Sequence, residues 1–125
     1  MSRKNVEDIH AEQIAMYGGA EGLRDPGALE AALAMPQQGS GEQYFHEDIF
    51  EMAAAYLFHI CANHPYVDGN KRTAAEAADV FLYLNGYDLV MSEEDFEVLV
   101  LATAQDQLSK KQIAARLRDQ SRPRL

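Results

Sequence analysis

The sequence has 125 residues, of which 47% are hydrophobic and 25% are charged, a composition typical of one globular domain. A domain of this size buries roughly two-thirds of its unfolded surface, so it folds without a disulfide or a metal. Its single cysteine, Cys61, cannot form an internal bridge, which favours a reducing, cytoplasmic location. No signal peptide is visible, and the longest apolar run, Met52–Phe58, is far shorter than the ~20 residues of a transmembrane helix. We therefore expect no insertion into a membrane.

Charge is distributed unevenly along the chain, whose formal net charge is −9. The stretch from residue 5 to residue 109 carries 19 acidic residues and three basic ones, whereas positions 110–125 carry six basic residues. A surface this acidic repels a phosphate backbone at long range, so we do not expect the main body to bind nucleic acid. Two of the three basic residues in the acidic stretch, Lys71 and Arg72, are adjacent, and this pair needs an explanation.

The hydrophobic periodicity is helical nearly throughout and predicts six helices, with no convincing strand. Capping residues, proline and glycine mark their ends. The predicted helices are Val6–Tyr17 after a cap at Asn5, Pro26–Met35 after a cap at Asp25, Ile49–Asn63 after Asp48 with Glu51, Asn70–Asn85 before Gly86, 93–106 after Ser92 with Asp95, and 110–119 after Ser109 with Gln112. The helix at 49–63 is apolar nearly all round, so we expect it to be central and buried.

The remaining segments connect or follow these helices. Pro36–Glu47 is polar and contains Gly39 and Gly41, which predicts an exposed flap, either a loop or a small hairpin. Tyr87–Met91 reads as a short extended connection, and Ser121–Leu125 as a frayed, disordered tail. No repeat or linker divides the chain. We therefore predict an all-α fold, a compact single-domain bundle spanning residues 1–125.

The chemistry is concentrated between the third and fourth predicted helices, in residues 64–72, which read HPYVDGNKR. A helix N-terminus offers unpaired N–H groups and a positive dipole end to an anion, and Gly69 lets the backbone approach a phosphate closely. Cations in a first helical turn are disfavoured by roughly 0.3–1 kcal/mol each, so Lys71 and Arg72 indicate an anionic ligand. Asp68 beside a phosphate indicates a bridging divalent cation. His64 suits a general base near neutral pH.

Each part of this segment also has an ordinary structural explanation. His-Pro after a helix stops it, Asp-Gly forms a turn, and a Lys-Arg pair is commonly solvated. Their occurrence together, in this order and within nine residues, favours a site.

At these residues the sequence resembles the Fic/Doc family, whose signature is His-x-Phe-x-Asp/Glu-Gly/Ala-Asn-x-Arg. The stretch from Tyr17-Gly18-Gly19 to Asp25-Pro26-Gly27 is similar to the death-on-curing branch. The resemblance implies a Fic-like fold and transfer of a phosphate-containing group from a nucleotide such as ATP to a protein hydroxyl. It implies these roles: His64 as general base, Asp68 as Mg²⁺ ligand, Gly69 and Asn70 as an anion cradle, Arg72 as phosphate clamp, and 36–47 as the target-docking flap. We expect Lys71, beside Arg72, to hold phosphates as well.

Three positions depart from the common family pattern: Tyr66 replaces phenylalanine, Lys71 replaces glycine, and Ala75 replaces a second arginine. The last two match the death-on-curing branch, which implies γ-phosphate transfer by a toxin kinase to a target of the elongation factor Tu type, with adenylyl transfer as the alternative. Self-inhibited members carry a glutamate four residues after a Ser or Thr; here Phe96 follows Ser92 at that spacing, and no Ser or Thr has the glutamate. We therefore expect a separate antitoxin.

Other motifs support alternatives of different classes. The segment Ala102–Arg118 faintly resembles a helix-turn-helix, and the basic residues in its second half would suit a small DNA-binding or adaptor domain, although arginines at a helix C-terminus also suit plain packing. A catalytically inactive binding module is a further alternative. Gly39-Ser40-Gly41 lacks the third glycine and the preceding strand of a dinucleotide loop. His59, Cys61 and His64 lack the second cluster of a metal site, so we expect packing roles for His59 and Cys61.

Overall fold

The structure is a computed structural model that describes residues 1–37, 39–40, 43–44 and 48–124. The described part contains six helices: α1 Arg3–Tyr17, α2 Pro26–Ala34, α3 Ile49–Asn63, α4 Asn70–Leu84, α5 Glu93–Ala104 and α6 Lys110–Asp119. A single 3₁₀ turn, Met35–Gln37, follows α2. The described residues also form four short strands in two antiparallel ribbons, β1 Gly39–Ser40 with β2 Gln43–Tyr44, and β3 Tyr87–Leu89 with β4 Ser121–Pro123. The all-α expectation is confirmed.

Helix α3 forms the centre of the bundle and packs against α2, α4, α5 and α6. Its residues Ala53–Leu57 and Ile60 are buried, and they meet fully buried side chains of the other helices: Leu29, Leu82, Leu99, Ile113 and Leu117. The prediction of a buried central helix at 49–63 is therefore confirmed. None of the described helices is both long and apolar enough to cross a membrane.

Side-chain caps open five of the described helices, and four of these were predicted. Asp25, Asp48, Ser92 and Ser109 each accept a hydrogen bond from a backbone N–H of the following turn. The predicted cap at Asn5 is wrong, because Ser2 caps α1 and Asn5 completes a capping box by accepting from the Ser2 N–H. Asparagine takes the place that Glu or Gln usually fills in such a box, so the sequence pattern was missed.

The segments outside the helices differ in part from expectation. Ser121–Pro123 was predicted to be a frayed tail but forms β4, which pairs with the extended connection Tyr87–Leu89. The Arg124 amide extends this ribbon by donating to the Gly86 carbonyl. Of the predicted flap 36–47, residues 36–37 end the 3₁₀ turn, and residues 39–40 and 43–44 form the β1–β2 ribbon, which fits the small-hairpin alternative; the rest lies outside the described residues.

Candidate active site

The segment after α3 is an ordered loop rather than a free connection. His64 ends α3 in the left-handed region, with φ 48° and ψ 55°, a conformation that few non-glycine residues adopt. The chain then reverses beside residues 22–25: the amides of Arg24 and Asp25 donate to the Pro65 carbonyl, and the Val67 amide donates to Gly22. A second stretch of backbone therefore holds the loop in place.

The side chain of Arg24 holds the backbone of His64, the residue at which the loop begins. Its Nε lies 2.8 Å from the His64 carbonyl oxygen, and a terminal guanidinium nitrogen lies 3.1 Å from that of Asn63. These carbonyls lie where α3 ends and have no partner within the helix, so a cation is favourable there. The backbone that carries the His64 side chain is thus held from outside α3.

Asn70 stabilises the loop from its other end. Its amide oxygen accepts from the Tyr66 N–H and its amide nitrogen donates to the Tyr66 carbonyl, both at 2.9 Å, and the residue is only 5% exposed. Both polar atoms of the side chain are engaged with Tyr66, so it is the backbone N–H at the helix start that Asn70 offers to an anion. This restricts the cradle role that the family resemblance implies for Asn70.

The start of α4 differs from the other described helix starts. Gly69 is its N-cap, with φ 79°, and no side chain among the described residues caps the helix. A side chain at position 69 would be strained by the left-handed backbone, and its Cβ would lie 3.1 Å from Ile14 Cδ1, so glycine is strongly favoured. The first amides of α4 remain available to a ligand, as anion binding requires.

A cavity of about 420 Å³ opens beside this loop and helix start. Its wall contains the six residues that the sequence singled out, His64 and Asp68–Arg72, together with Cys61, Val67 and Ala104. The structure thus brings the predicted residues together, and His64, Asp68, Lys71 and Arg72 are all exposed. Burial raises the pKa of the Cys61 thiol to about 11 against the opposing influence of the Lys71 charge, so Cys61 stays protonated near neutral pH.

Asp68 is anchored through both its backbone and its side chain. Its carbonyl oxygen lies 2.8 Å from His10 Nε2, and its Oδ2 accepts from the Ala20 N–H at 2.8 Å. Within the described residues, no group of three acidic, histidine or cysteine side chains could hold a metal unaided. Mg²⁺ commonly binds one or two carboxylates and completes its shell with water and substrate phosphates, so the exposed Asp68 carboxylate fits a nucleotide-bound Mg²⁺.

A second cavity, of about 300 Å³, adjoins the same two cations. Lys71 and Arg72 line it together with Glu97 and an apolar wall of Ala75, Phe96, Val100 and Leu101. The two basic side chains therefore face both a polar and an apolar space. The guanidinium of Arg72 also lies 4.8 Å from the centre of the Tyr17 ring, in a cation–π contact.

Three residues of α1 and of the connection after it hydrogen-bond to His64 or Asp68 and were not predicted from the sequence: His10, Ala20 and Arg24. Their contacts with residues 64 and 68 span between 40 and 58 positions, so no local pattern indicated them.

The fold and the site define a helical domain with an anion-binding helix start and an adjacent histidine. A family model described as the Fic/DOC family matches residues 1–82, from α1 through the loop and most of α4. The chain is 40% identical over 92 residues to a protein named Toxin Doc from Mycolicibacterium smegmatis, a match that spans 74% of this chain and 68% of that protein. It is 34% identical over 118 residues to Protein kinase doc from Escherichia phage P1, a match that spans 94% of this chain and 92% of that protein. The chain therefore belongs to the Fic/DOC family, as the motif at residues 64–72 predicted.

Proposed function

We propose that this protein is the toxin of a toxin–antitoxin pair, a transferase that moves the γ-phosphate of ATP to a hydroxyl of a host protein. One observation carries the proposal: His64, Asp68 and the uncapped, cation-bearing start of α4 line a single cavity. The names of the two relatives, Toxin Doc and Protein kinase doc, support both the toxin class and the kind of transfer.

In this proposal each residue at the cavity has a separate task. The target hydroxyl oxygen bonds to the γ-phosphorus while the bond from that phosphorus to the β–γ bridging oxygen breaks, and ADP leaves. His64 accepts the hydroxyl proton. Lys71, Arg72 and the first amides of α4 hold the phosphates and stabilise charge in the transition state. Asp68 would hold a nucleotide-bound Mg²⁺, which neutralises phosphate charge.

The choice of phosphate over adenylyl transfer depends on Lys71 and Ala75. In the adenylylating pattern of the family these positions carry glycine and arginine, which hold the nucleotide in the opposite direction. In this chain Lys71 adds a second positive charge directly before Arg72. Ala75 carries no charge and contributes only apolar surface to the second cavity. The positive charge is therefore concentrated at the helix start, which favours binding of the terminal phosphates there.

The test is transfer from labelled ATP to elongation factor Tu, with Mg²⁺ present and intact-mass analysis of the product. We expect label from the γ-position and a gain of one phosphate, with no transfer by His64→Gln. Label from the α-position with a gain of one adenylyl group would establish adenylyl transfer instead. If elongation factor Tu gains neither group, the same incubation of a host lysate tests the class of reaction independently of the target.

An antitoxin encoded separately completes the proposal. The apolar wall of the second cavity, next to Lys71 and Arg72, suits a helix of a partner that also brings a group to pair with Arg72. Expression of the chain alone should then arrest growth, and co-expression with the neighbouring open reading frame should relieve the arrest. A wild-type chain that is harmless at high level, yet active on its target when purified, would contradict this part of the proposal.

The alternative of a DNA-binding or adaptor domain has weaker support. Ile113, Ala114 and Leu117 of α6 are buried in the core, and two of its four basic side chains contact other parts of the domain. Arg118 pairs with Asp48 and lies over Phe50, and Lys110 lies over Phe58. These contacts favour packing as the role of α6. A DNA shift assay that shows binding with a steep salt dependence would restore the alternative.

A further inference from the structure

One face of α1 contacts the loop that carries the candidate site. His10, Ile14 and Tyr17 follow one another at spacings of four and three residues, so they lie on the same side of the helix. His10 contacts the Asp68 carbonyl, Ile14 lies against Gly69, and Tyr17 lies beneath Arg72. Helix α1 thus contacts the end of the loop at two points and the first turn of α4 at a third.

His10 makes the most directional of these contacts. The residue is only 6% exposed, and its ring stacks on that of Tyr66 with 3.7 Å between centroids and 6° between planes. Its Nε2 lies 2.8 Å from the Asp68 carbonyl oxygen. A carbonyl oxygen only accepts, so Nε2 must carry the proton. Stacking fixes the plane of the ring and the hydrogen bond fixes its direction.

This hydrogen bond acts on the peptide that precedes α4. The peptide between Asp68 and Gly69 is planar and trans, so its carbonyl and its N–H point in opposite directions. When His10 holds the carbonyl on the α1 side, the Gly69 N–H is directed away from α1. The Ala20 N–H holds the Asp68 carboxylate at the same time. One residue is therefore oriented at both its backbone and its side chain.

We propose that His10 is a positioning residue, which orients the Asp68–Gly69 peptide and through it the carboxylate and the helix-start amides that receive the nucleotide. The inference rests on the proposed function, because the reaction it serves is phosphate transfer at that cavity. His10 acts through Asp68 and contacts none of the reacting atoms. Loss of its hydrogen bond should weaken catalysis and loop order while the fold persists.

Three substitutions separate the hydrogen bond from the stacking. His10→Phe keeps an aromatic ring on Tyr66 and removes the donor, and His10→Asn keeps an amide that is too short to reach. His10→Gln places an amide nitrogen near the position of Nε2.

We expect kcat for transfer from Mg-ATP to fall about tenfold to a hundredfold in the Phe and Asn variants, because a shift of about 1 Å in the groups that hold the nucleotide is costly to catalysis. The Gln variant should recover most of the loss. His59→Phe, the same change at a histidine outside the cavity wall, is the matched control.

Amide hydrogen exchange tests the inference without any turnover. The amides of Tyr66 and Thr73 donate to Asn70 Oδ1 and to the Gly69 carbonyl, so they report the order of the loop. They should exchange about fivefold to tenfold faster in His10→Phe than in the wild type, and remain protected in His10→Gln and His59→Phe. Wild-type exchange and turnover in His10→Phe, or an equal loss in His10→Gln, would overturn the inference. A wild-type protein that transfers no phosphate would overturn the proposed function alone, and the exchange result would still decide the role of His10.

Discussion

Arg24 donates from Nε to the carbonyl oxygen of His64 at 2.8 Å, across 40 positions of sequence. The arginine belongs to the connection between α1 and α2, and the histidine ends α3 in a left-handed conformation. The contact joins an exposed charged side chain to the backbone of the proposed general base. It also supplies the C-terminal charge that α3 lacks in its own last turn.

Replacing Arg24 should impair both the fold and the reaction. Arg24→Ala removes hydrogen bonds to two carbonyls at an exposed site, so we expect a loss of about 1 kcal/mol in the free energy of unfolding, measured by urea titration. Because His64 loses its backbone anchor, kcat should fall by more than this destabilisation explains at a temperature where the protein is fully folded. Arg24→Lys should recover little, since a lysine cannot reproduce the fork geometry. Arg122→Ala, at an exposed arginine of β4, is the control, and equal kcat in the two alanine variants would contradict the prediction.

Replacing His64 should abolish transfer and leave the protein folded. His64 is exposed and its side chain is not part of the core, so His64→Gln should unfold at nearly the wild-type urea midpoint. His64→Asn tolerates the left-handed backbone well and provides a second variant with minimal strain. Without a general base, single-turnover transfer should fall at least about 10²-fold in both. Near-normal transfer by either variant would exclude His64 from this role.

The proposed binding of Mg-ATP should stabilise the protein through Asp68 and Arg72. At about ten times Kd the ligand adds about 1.4 kcal/mol to the free energy of unfolding, which is a few degrees in Tm. Asp68→Ala combined with Arg72→Ala should remove this shift. Glu94→Ala combined with Arg122→Ala changes the same charges away from the cavity and should retain it. A shift that survives the first pair of substitutions would place the nucleotide elsewhere.

Tyr66→Phe should stabilise the protein. The Tyr66 hydroxyl is buried and has no hydrogen-bond partner among the described residues, so its removal should add about 1 kcal/mol to the free energy of unfolding. Burial, followed by the charge of Glu7, raises the pKa of this hydroxyl to about 12. The folded state therefore favours the protonated phenol, and the wild type loses stability as the pH rises from about 10 toward 12. Urea titrations at pH 7 and pH 11 should show a larger advantage of the variant at pH 11, and an unchanged advantage would contradict the assignment.

Glu76→Gln should also stabilise the protein, but only at a pH where the Glu76 carboxyl of the wild type ionises. Burial raises the pKa of the Glu76 carboxyl, and the nearby charges of Asp79 and Glu12 raise it further. A raised carboxyl pKa means that the fold favours the protonated form, so stability is lost as the pH rises through the folded-state pKa. The amide avoids that loss, and at pH 7 it should gain less than about 1 kcal/mol, because the site is partly solvated. The difference should vanish below about pH 4, and urea titrations across this range provide the measurement; an advantage that is independent of pH would point to packing instead.

The sequence predicted those features that depend on neighbouring residues. Asp25, Asp48, Ser92 and Ser109 cap helices because each is followed three residues later by the amide that it accepts from, so the signal is local. The gathering of His64 and residues 68–72 at one cavity was also predictable, since a single helix–loop–helix segment contains them all.

Contacts between distant segments could not be predicted in the same way. β3 follows α4 and β4 follows α6, so the pairing of the two strands depends on how close the C-terminal ends of these helices lie. No short sequence pattern encodes that distance. The contact of His10 with Asp68 requires α1 and α4 to pack side by side, 58 positions apart. The family resemblance placed Asn70 in the anion cradle, but it did not predict that both polar atoms of its side chain bond to the Tyr66 backbone.

The ribbon of β3 and β4 also provides a favourable place for a reporter group. It lies at the end of α4, where the Arg124 amide donates to Gly86, while the proposed nucleotide site lies at the beginning of the same helix. A helix of 15 residues is about 22 Å long, so a dye attached near residue 124 would sit well away from the bound phosphates. That separation suits energy transfer to a labelled nucleotide, and the occupancy of the cavity could be followed by light without a substitution at any residue that touches the ligand.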